Sequence, residues 1–343
     1  MAEKLKLGLY WAASCGGCEI AMLDTNEKIL DIVAAADILL WPVAMDTKKA
    51  DVEAWPDKHL DLCLFNGSVR TSEQEEWAHL LRRKAKTLVA FGSCAHHGCI
   101  PGLANLNSRD EVFRTAYHDE PSLDESKGTE PRTSFAAPEG ELTLPKFYDG
   151  VYPLDRVVDV DYYLPGCPPP VPVILAAFEA VVAGRLPEKG TVLAPVKALC
   201  DTCPRNSTLP KKMPDIKRPW EIAANPEECF LAQGLICMGP ATRSGCESRC
   251  INGNWPCTGC LGPTPEVKDQ GAKMISALAA ILRVDDESMM TDEETRKLLA
   301  KVKDPVGTFY MYGLASATIN RKRKAAGEGQ EANVQGAEAG KGK

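Results

Sequence analysis

The sequence has no apolar run long enough to cross a bilayer, no apolar segment in its first ten residues and no twin-arginine pair there. A membrane span needs about eighteen or more apolar residues in a row, and export signals carry their own marks. The chain is therefore expected in the cytoplasm, with no membrane partner. Positive charge is also short: 40 Lys and Arg stand against 47 Asp and Glu, for a net charge of −7. Binding driven by phosphate contacts needs the opposite balance, so nucleic acid is not an expected partner. The one basic run, residues 321–324, opens a tail over 321–343 of Gly, Ala, Glu and Gln that reads as disordered. Core-forming material is not scarce. With 343 residues and 44% hydrophobic content the chain has room for one large domain or two modest ones, and it needs no metal merely to fold.

Cysteine is what the chain has in quantity, fourteen residues. In a compartment that keeps thiols reduced these are metal ligands, catalytic groups or buried thiols rather than a disulfide framework. Three pairs have Cys-x-x-Cys spacing: Cys15/Cys18, Cys200/Cys203 and Cys257/Cys260. Two intervening residues let both sulfurs point at one metal centre from a turn. A single pair is nonetheless shared by zinc ribbons and thioredoxin-like sites. The run Cys200, Cys203, Cys229, Cys237, Cys246, Cys250, Cys257, Cys260 is more specific, eight cysteines in 61 residues. Eight is the complement of two [4Fe–4S] clusters. Thiolate suits zinc and iron–sulfur alike, so ligand type does not separate them. The Gly and Pro beside these ligands, such as Gly239, Pro240, Gly259 and Gly262, favour a cluster, which is bulkier and takes backbone N–H bonds at its sulfides. Structural zinc in an interaction module is the alternative that spacing leaves open.

Along the first half, short apolar runs alternate with helical patterns. Residues 6–12 form a strand pattern that ends at Ser14-Cys15-Gly16-Gly17-Cys18. Residues 19–34 place Ile20, Leu23, Ile29, Leu30 and Val33 at helical spacing, which predicts one helix. Apolar runs follow at 37–44, 60–69 and 87–93, with a charged helix over 72–85. Another run ends at 162–164, and 171–183 reads as a helix behind Pro168, Pro169 and Pro170. This alternation predicts an open parallel α/β sheet, whose sites gather at the carboxyl ends of strands. Cys15 and Cys18, Cys94 and Cys167 each fall just after a predicted strand and can meet at one edge. Residues 120–144 read as a surface excursion. From about 186 the character changes. A cysteine-dense run over 229–260 cannot build an apolar core by itself and must be held by ligand bonds. Helices over 265–283 and 292–303 follow, the second opened by a capping box of Thr291 and Glu294. The expected division is 1–186, 187–320 and the tail. Cys63, inside a strand pattern, reads as a small buried hydrophobe.

The motifs CGGCE at 15–19, GSCA at 92–95 and PGCPP at 165–169 resemble the proximal-cluster motifs of [NiFe] hydrogenase small subunits; the related complex I subunit shares this domain. ICMGPATRSGCESRC at 236–250, followed by NWPCTGC at 254–260, is similar to the cytoplasmic hydrogenases typified by the methyl-viologen-reducing enzyme, which works with heterodisulfide reductase. The resemblance spans about residues 5–265. It implies a flavodoxin-like parallel-sheet domain followed by a Cys-rich, loop-and-helix iron–sulfur domain, with three [4Fe–4S] clusters. Cys15, Cys18, Cys94 and Cys167 would hold the proximal one. Cys246, Cys250, Cys257 and Cys260 would hold the middle one, and Cys200, Cys203, Cys229 and Cys237 the distal one. Cys99, five residues after Cys94, could replace it, but the GSC context favours Cys94.

Two departures from the respiratory members bear on this. Cys200 stands where they use a His, and Cys250 where they have a Pro, so a full middle cubane and low potentials are implied. A nickel–iron centre needs two further Cys-x-x-Cys pairs, and this chain has none to spare. The implied partners are a [NiFe] large subunit and an iron–sulfur or flavin acceptor, in a heterodisulfide-reductase-type assembly. A relay subunit of an oxidoreductase without hydrogen chemistry would carry the same motifs. The resemblance also implies that Glu19, next to Cys18, faces the nickel site and moves protons; the plain reading is an acid in the first turn of a helix.

Overall fold

The computed structural model describes residues 4–124, 129–282 and 291–318, so the tail expected over 321–343 lies outside the described residues. The first half runs β1 (Leu5–Trp11), α1 (Gly17–Leu23), α2 (Lys28–Ala35), β2 (Ala36–Leu40), α3 (Lys49–Ala54), β3 (Leu60–Asn66), β4 (Val69–Thr71), α4 (Ser72–Lys84), β5 (Ala85–Phe91) and α5 (Ser93–His97). After α6 (Arg109–Arg114) come a hairpin of β6 (Ser134–Ala137) and β7 (Gly140–Thr143), then β8 (Phe147–Tyr152), β9 (Tyr162–Leu164) and α7 (Val171–Val182). The second half is mostly turns, with α8 (Arg249–Asn252), α9 (Gln270–Ile281), α10 (Asp292–Leu299) and α11 (Pro305–Phe309). Among the described residues no helix is long and apolar enough to cross a membrane.

Five strands pair in the order β2-β1-β3-β5-β9, every pair parallel. Counted within the sheet, this is the flavodoxin order 2-1-3-4-5. The sequence alternation predicts this open sheet, and its central strands are apolar on both faces. Cys63 and Phe65 on β3 pack with Trp77, Ala78 and Leu81 of α4 on one side. Leu62 and Leu64 pack with Met22 of α1 and Ile174 of α7 on the other. Cys63 is thus a packing residue, fully buried in its strand.

Three predicted helices change shape. The single helix over 19–34 is two, α1 and α2. Asn26 takes a left-handed φ of +50° between them, and Thr25 Oγ1 donates to the Met22 carbonyl at 2.7 Å. A left-handed residue ends a helix, and apolar periodicity does not register it. The helix expected from 265 starts at Gln270, because Asp269 accepts the Ala272 N–H at 2.9 Å as its N-cap; residue 283 lies outside the described residues. The capping box of Thr291 and Glu294 forms, but α10 stops at Leu299. The excursion over 120–144 contains the exposed β6–β7 hairpin.

The cysteine-dense run is not held by ligand bonds alone. Phe230, Leu235 and Met238 from the run pack with Met274 and Leu278 of α9, Phe309 of α11, and Tyr310 and Leu314. The apolar partners come from outside the run, which is why its own composition hides the core.

Asp161 closes the sheet edge. It is buried, accepts the Leu88 N–H at 2.8 Å, and pairs with Arg82 and Lys189 at 2.6 Å each. Burial alone would raise its pKa, but Lys189, the Leu88 N–H and Arg82 outweigh it and hold it below the usual value. Its stabilising effect is therefore present above the unfolded-state pKa and lost as pH falls through the folded value. Asp161→Ala should lower stability by about 3 kcal/mol at neutral pH. In urea titrations of the two proteins, the gap should narrow below about pH 4.

Candidate metal centres

Cys15 sits on the loop from β1 into α1 and Cys18 in the first turn of α1, Cys94 lies in the first turn of α5 behind β5, and Cys167 follows β9. All lie at carboxyl ends of parallel strands, where this kind of sheet leaves room for a site. A Cβ at Gly92, whose φ is +84°, would come within 2.3 Å of Cys18 Sγ. Only glycine lets the end of β5 pass that thiol. The thiols lie close enough to act on one another: burial first, then Cys94, Cys167, Glu19 and Cys15, raise the Cys18 pKa well above its ordinary value.

Cys99 joins this group. It is fully buried, and its thiol lies close enough to those of Cys167 and Cys94 for the three to act on one another. The proximity of Cys167 raises the Cys99 thiol, and that of Cys99 lowers Cys167. The spacing of five from Cys94 was a signal for proximity but not for this supporting position.

Cys200, Cys203, Cys229 and Cys237 line one apolar cavity together with Leu199, Arg205 and Phe230. Burial, then Cys237, Cys229 and Cys203, push the Cys200 thiol up to about 12. Arg205 ties the surrounding loops. It donates to the carbonyls of Asn225, Glu228 and Ile251 and lies 4.3 Å above the Phe230 ring.

Cys246 and Cys250 gather beside Cys260, whose thiol burial and then Cys246 push up to about 12. Cys257 lies at a joint. After burial, Cys237 acts on it more strongly than Cys260 does, and its N–H donates to Cys237 Sγ at 3.3 Å. It therefore touches the cavity group as well as its expected partners. At the other side, Cys260 lies near enough to Cys167 for the two thiols to act on one another. Ser93 spans the same boundary: its hydroxyl accepts the Gly166 N–H at 3.1 Å and donates to the Cys260 carbonyl at 2.6 Å.

These residues fit iron–sulfur clusters. Two sulfurs already accept backbone N–H groups: Cys15 Sγ from Gly17 at 3.4 Å and Cys237 Sγ from Cys257 at 3.3 Å. Such bonds favour the thiolate. Mutually facing buried thiols ionise only when a cation takes up the charge, and bound iron supplies it. Among the described residues no three His, Cys, Asp or Glu side chains gather tightly enough for a single ion.

Glu19, in the first turn of α1, is only 3% exposed. Its carboxylate accepts from Trp41 Nε1 and, at 3.2 Å, from Asn66 Nδ2. Burial raises its pKa, and the bonds from Asn66 and Trp41 oppose the rise without cancelling it. Neither partner is flagged by spacing; one follows β2 and the other ends β3. Cys15 at the rim is exposed, among exposed Trp11, Ile20 and Leu23. His96 stacks on His97 and packs against Tyr163 with ring centroids at 3.6 and 4.4 Å.

Residues 15–181 match the family model of the NADH ubiquinone oxidoreductase 20 kDa subunit. Over 325 residues the chain is 41% identical to the iron–sulfur subunit of the F420-non-reducing hydrogenase of Archaeoglobus profundus, covering 93% of this chain and 98% of that one. It is 39% identical over 325 residues to the corresponding F420-non-reducing hydrogenase subunit of Methanothermobacter thermautotrophicus, covering 94% and 98%. Among solved structures, the NAD+-reducing [NiFe]-hydrogenase in its H2-reduced state aligns with 28% identity and a TM-score of 0.47, covering 54% of this chain and 95% of that one.

Gly92→Ala should displace Cys18 and lower the iron bound after anaerobic reconstitution by about a third. Gly184→Ala is the control, since its φ is also positive, at +61°, but nothing lies within 4 Å. Iron assays on both, with far-UV circular dichroism to check the fold, test the close approach separately from backbone strain.

Proposed function

Belonging to the family of F420-non-reducing hydrogenase iron–sulfur subunits, the chain is an oxidoreductase component of hydrogenase type, and we propose that it is the electron relay of a [NiFe] hydrogenase. Hydrogen is oxidised on a partner large subunit, and electrons leave across three [4Fe–4S] clusters on this chain. The proximal set is Cys15, Cys18, Cys94 and Cys167. The middle set is Cys246, Cys250, Cys257 and Cys260, and the distal set is Cys200, Cys203, Cys229 and Cys237. The observation that carries this reading is the succession of contacts: Ser93 bridges the Gly166 N–H, next to Cys167, to the Cys260 carbonyl, and the Cys257 N–H donates to Cys237 Sγ. Each thiol group touches the next, as a relay requires.

The exposed apolar side chains Trp11, Ile20 and Leu23 around Cys15 supply the seat of the large subunit. All-thiolate ligation favours low potentials and hence a low-potential acceptor, an iron–sulfur or flavin subunit of a heterodisulfide-reductase-type complex in the cytoplasm. Purified anaerobically with its large subunit, the chain should carry about twelve irons, absorb broadly near about 400 nm and bleach under hydrogen. Colourless protein holding zinc would overturn the cluster reading. Coloured protein that hydrogen does not reduce would overturn the hydrogenase reading alone.

Glu19 has a place in this scheme as the carboxyl that exchanges protons behind the subunit interface. A raised folded-state pKa means that the neutral acid suits the fold better than the anion. Its stabilising effect is full below the unfolded value of about 4.3 and is lost as pH rises through the folded value. Glu19→Gln keeps the shape and does not titrate. Clusters should stay intact, that pH-dependent loss should disappear, and hydrogen turnover should fall about a hundredfold. Unchanged turnover would leave only the helix-start role, worth about 0.3–1 kcal/mol.

A further inference from the structure

A cavity of about 460 Å³ has no cysteine in its lining. His96 and His97 of α5, Arg243, and parts of the segments 263–271 and 313–318 form its wall. Arg243 is 4% exposed, and a buried guanidinium is costly unless acceptors meet it. Its Nη1 donates to the Pro195 carbonyl at 3.1 Å, but its Nε is buried with no acceptor. Burial lowers its pKa, and no carboxylate is near enough to oppose that. Two further nitrogens, His96 Nδ1 and His97 Nε2, are also buried without a partner. Gly262 joins these groups. Its carbonyl accepts the Arg243 N–H at 2.9 Å, and a Cβ on it would come within 2.3 Å of His97 Nε2. The acids of the wall do not neutralise this base. Asp269 is taken up by the Ala272 N–H and by the Thr318 N–H and hydroxyl. Asp155 and Glu266 are exposed and are matched in number by exposed Arg156 and Lys268.

Buried donors gathered without acceptors call for a ligand that brings acceptors and negative charge. A guanidinium matches the planar edge of a carboxylate or the oxygens of a phosphate. The volume is more than one inorganic ion fills and falls in the range of small-molecule sites, about 300–1,000 Å³. We propose that this cavity binds a small organic anion, its phosphate or carboxylate head held by Arg243 with His96 and His97 beside it. The body of the ligand lies against Pro263, Pro265 and Val267, which give the wall an apolar side. This site is separate from the thiol sets and does not rest on the relay reading.

The probes are inorganic phosphate and acetate. Each is titrated calorimetrically into the full chain, reconstituted anaerobically, with chloride keeping the ionic strength constant. Saturable binding at one site per chain is expected, and the tighter probe identifies the head group. Arg243→Met should weaken that binding about tenfold, the scale of one hydrogen bond to a charged group. Gly313→Glu should weaken it as well by adding negative charge to the wall. Gly313 has a φ of −121°, and a Cβ there meets nothing within 4 Å, so the fold accepts the side chain. If Arg243→Met does not fold, Gly313→Glu carries the test. Failure of both probes to bind saturably overturns the proposal. Binding that neither variant weakens also overturns it, because the anion then sits elsewhere. Binding by the chain alone that is lost in the complex with its large subunit overturns the small-molecule reading, the occupant then being an acidic side chain of the partner.

Discussion

Buried thiols that face one another cannot all lose their protons unless a cation takes up the charge. The rest of the chain is arranged around that constraint. Burial and mutual repulsion hold Cys18, Cys200, Cys237 and Cys260 in the thiol form when no cation is present. Backbone N–H groups at Cys15 and Cys237, and the Cys99 thiol beside Cys167, work the other way by favouring the anion. Metal loading is therefore coupled to proton release, and the protein lowers its cost with donors that are already in place.

The two halves reach the same end by different means. In the first, a hydrogen-bonded parallel ladder fixes where β1, β5 and β9 stop, and the thiols follow from the strand ends. Ladder geometry leaves little slack, which is why a missing side chain at Gly92 is needed for clearance. In the second half, among the described residues, no such ladder sets the thiols. Position comes from an apolar core completed by α9 and α11, and from Arg205, whose donors reach three carbonyls along the chain.

The parallel sheet was legible because buried strands leave unbroken apolar runs and their helices leave a different period. The cysteine run was legible because thiol spacing is a local property. What stayed hidden depends on contacts far apart in sequence or on single dihedral angles. Asn26 divides one amphipathic pattern into two helices by a left-handed φ, and no periodicity carries that information. Trp41 and Asn66 meet Glu19 only because β2 and β3 flank β1. Cys257 belongs by spacing with Cys260, yet its strongest electrostatic neighbour is Cys237, since chain folding and not spacing decides which sulfur stands opposite.

Ser93 has one oxygen bonded to both halves of the molecule, with Gly166 on one side and Cys260 on the other. Tunnelling between redox carriers weakens exponentially with separation. A joint that loosened by a fraction of an ångström would make the transfer rate fluctuate from molecule to molecule. In a relay of the kind proposed, this buried hydroxyl bridging the gap would act as a spacer of fixed length and would turn the junction between two halves, ordinarily a compliant place in a protein, into a timing element.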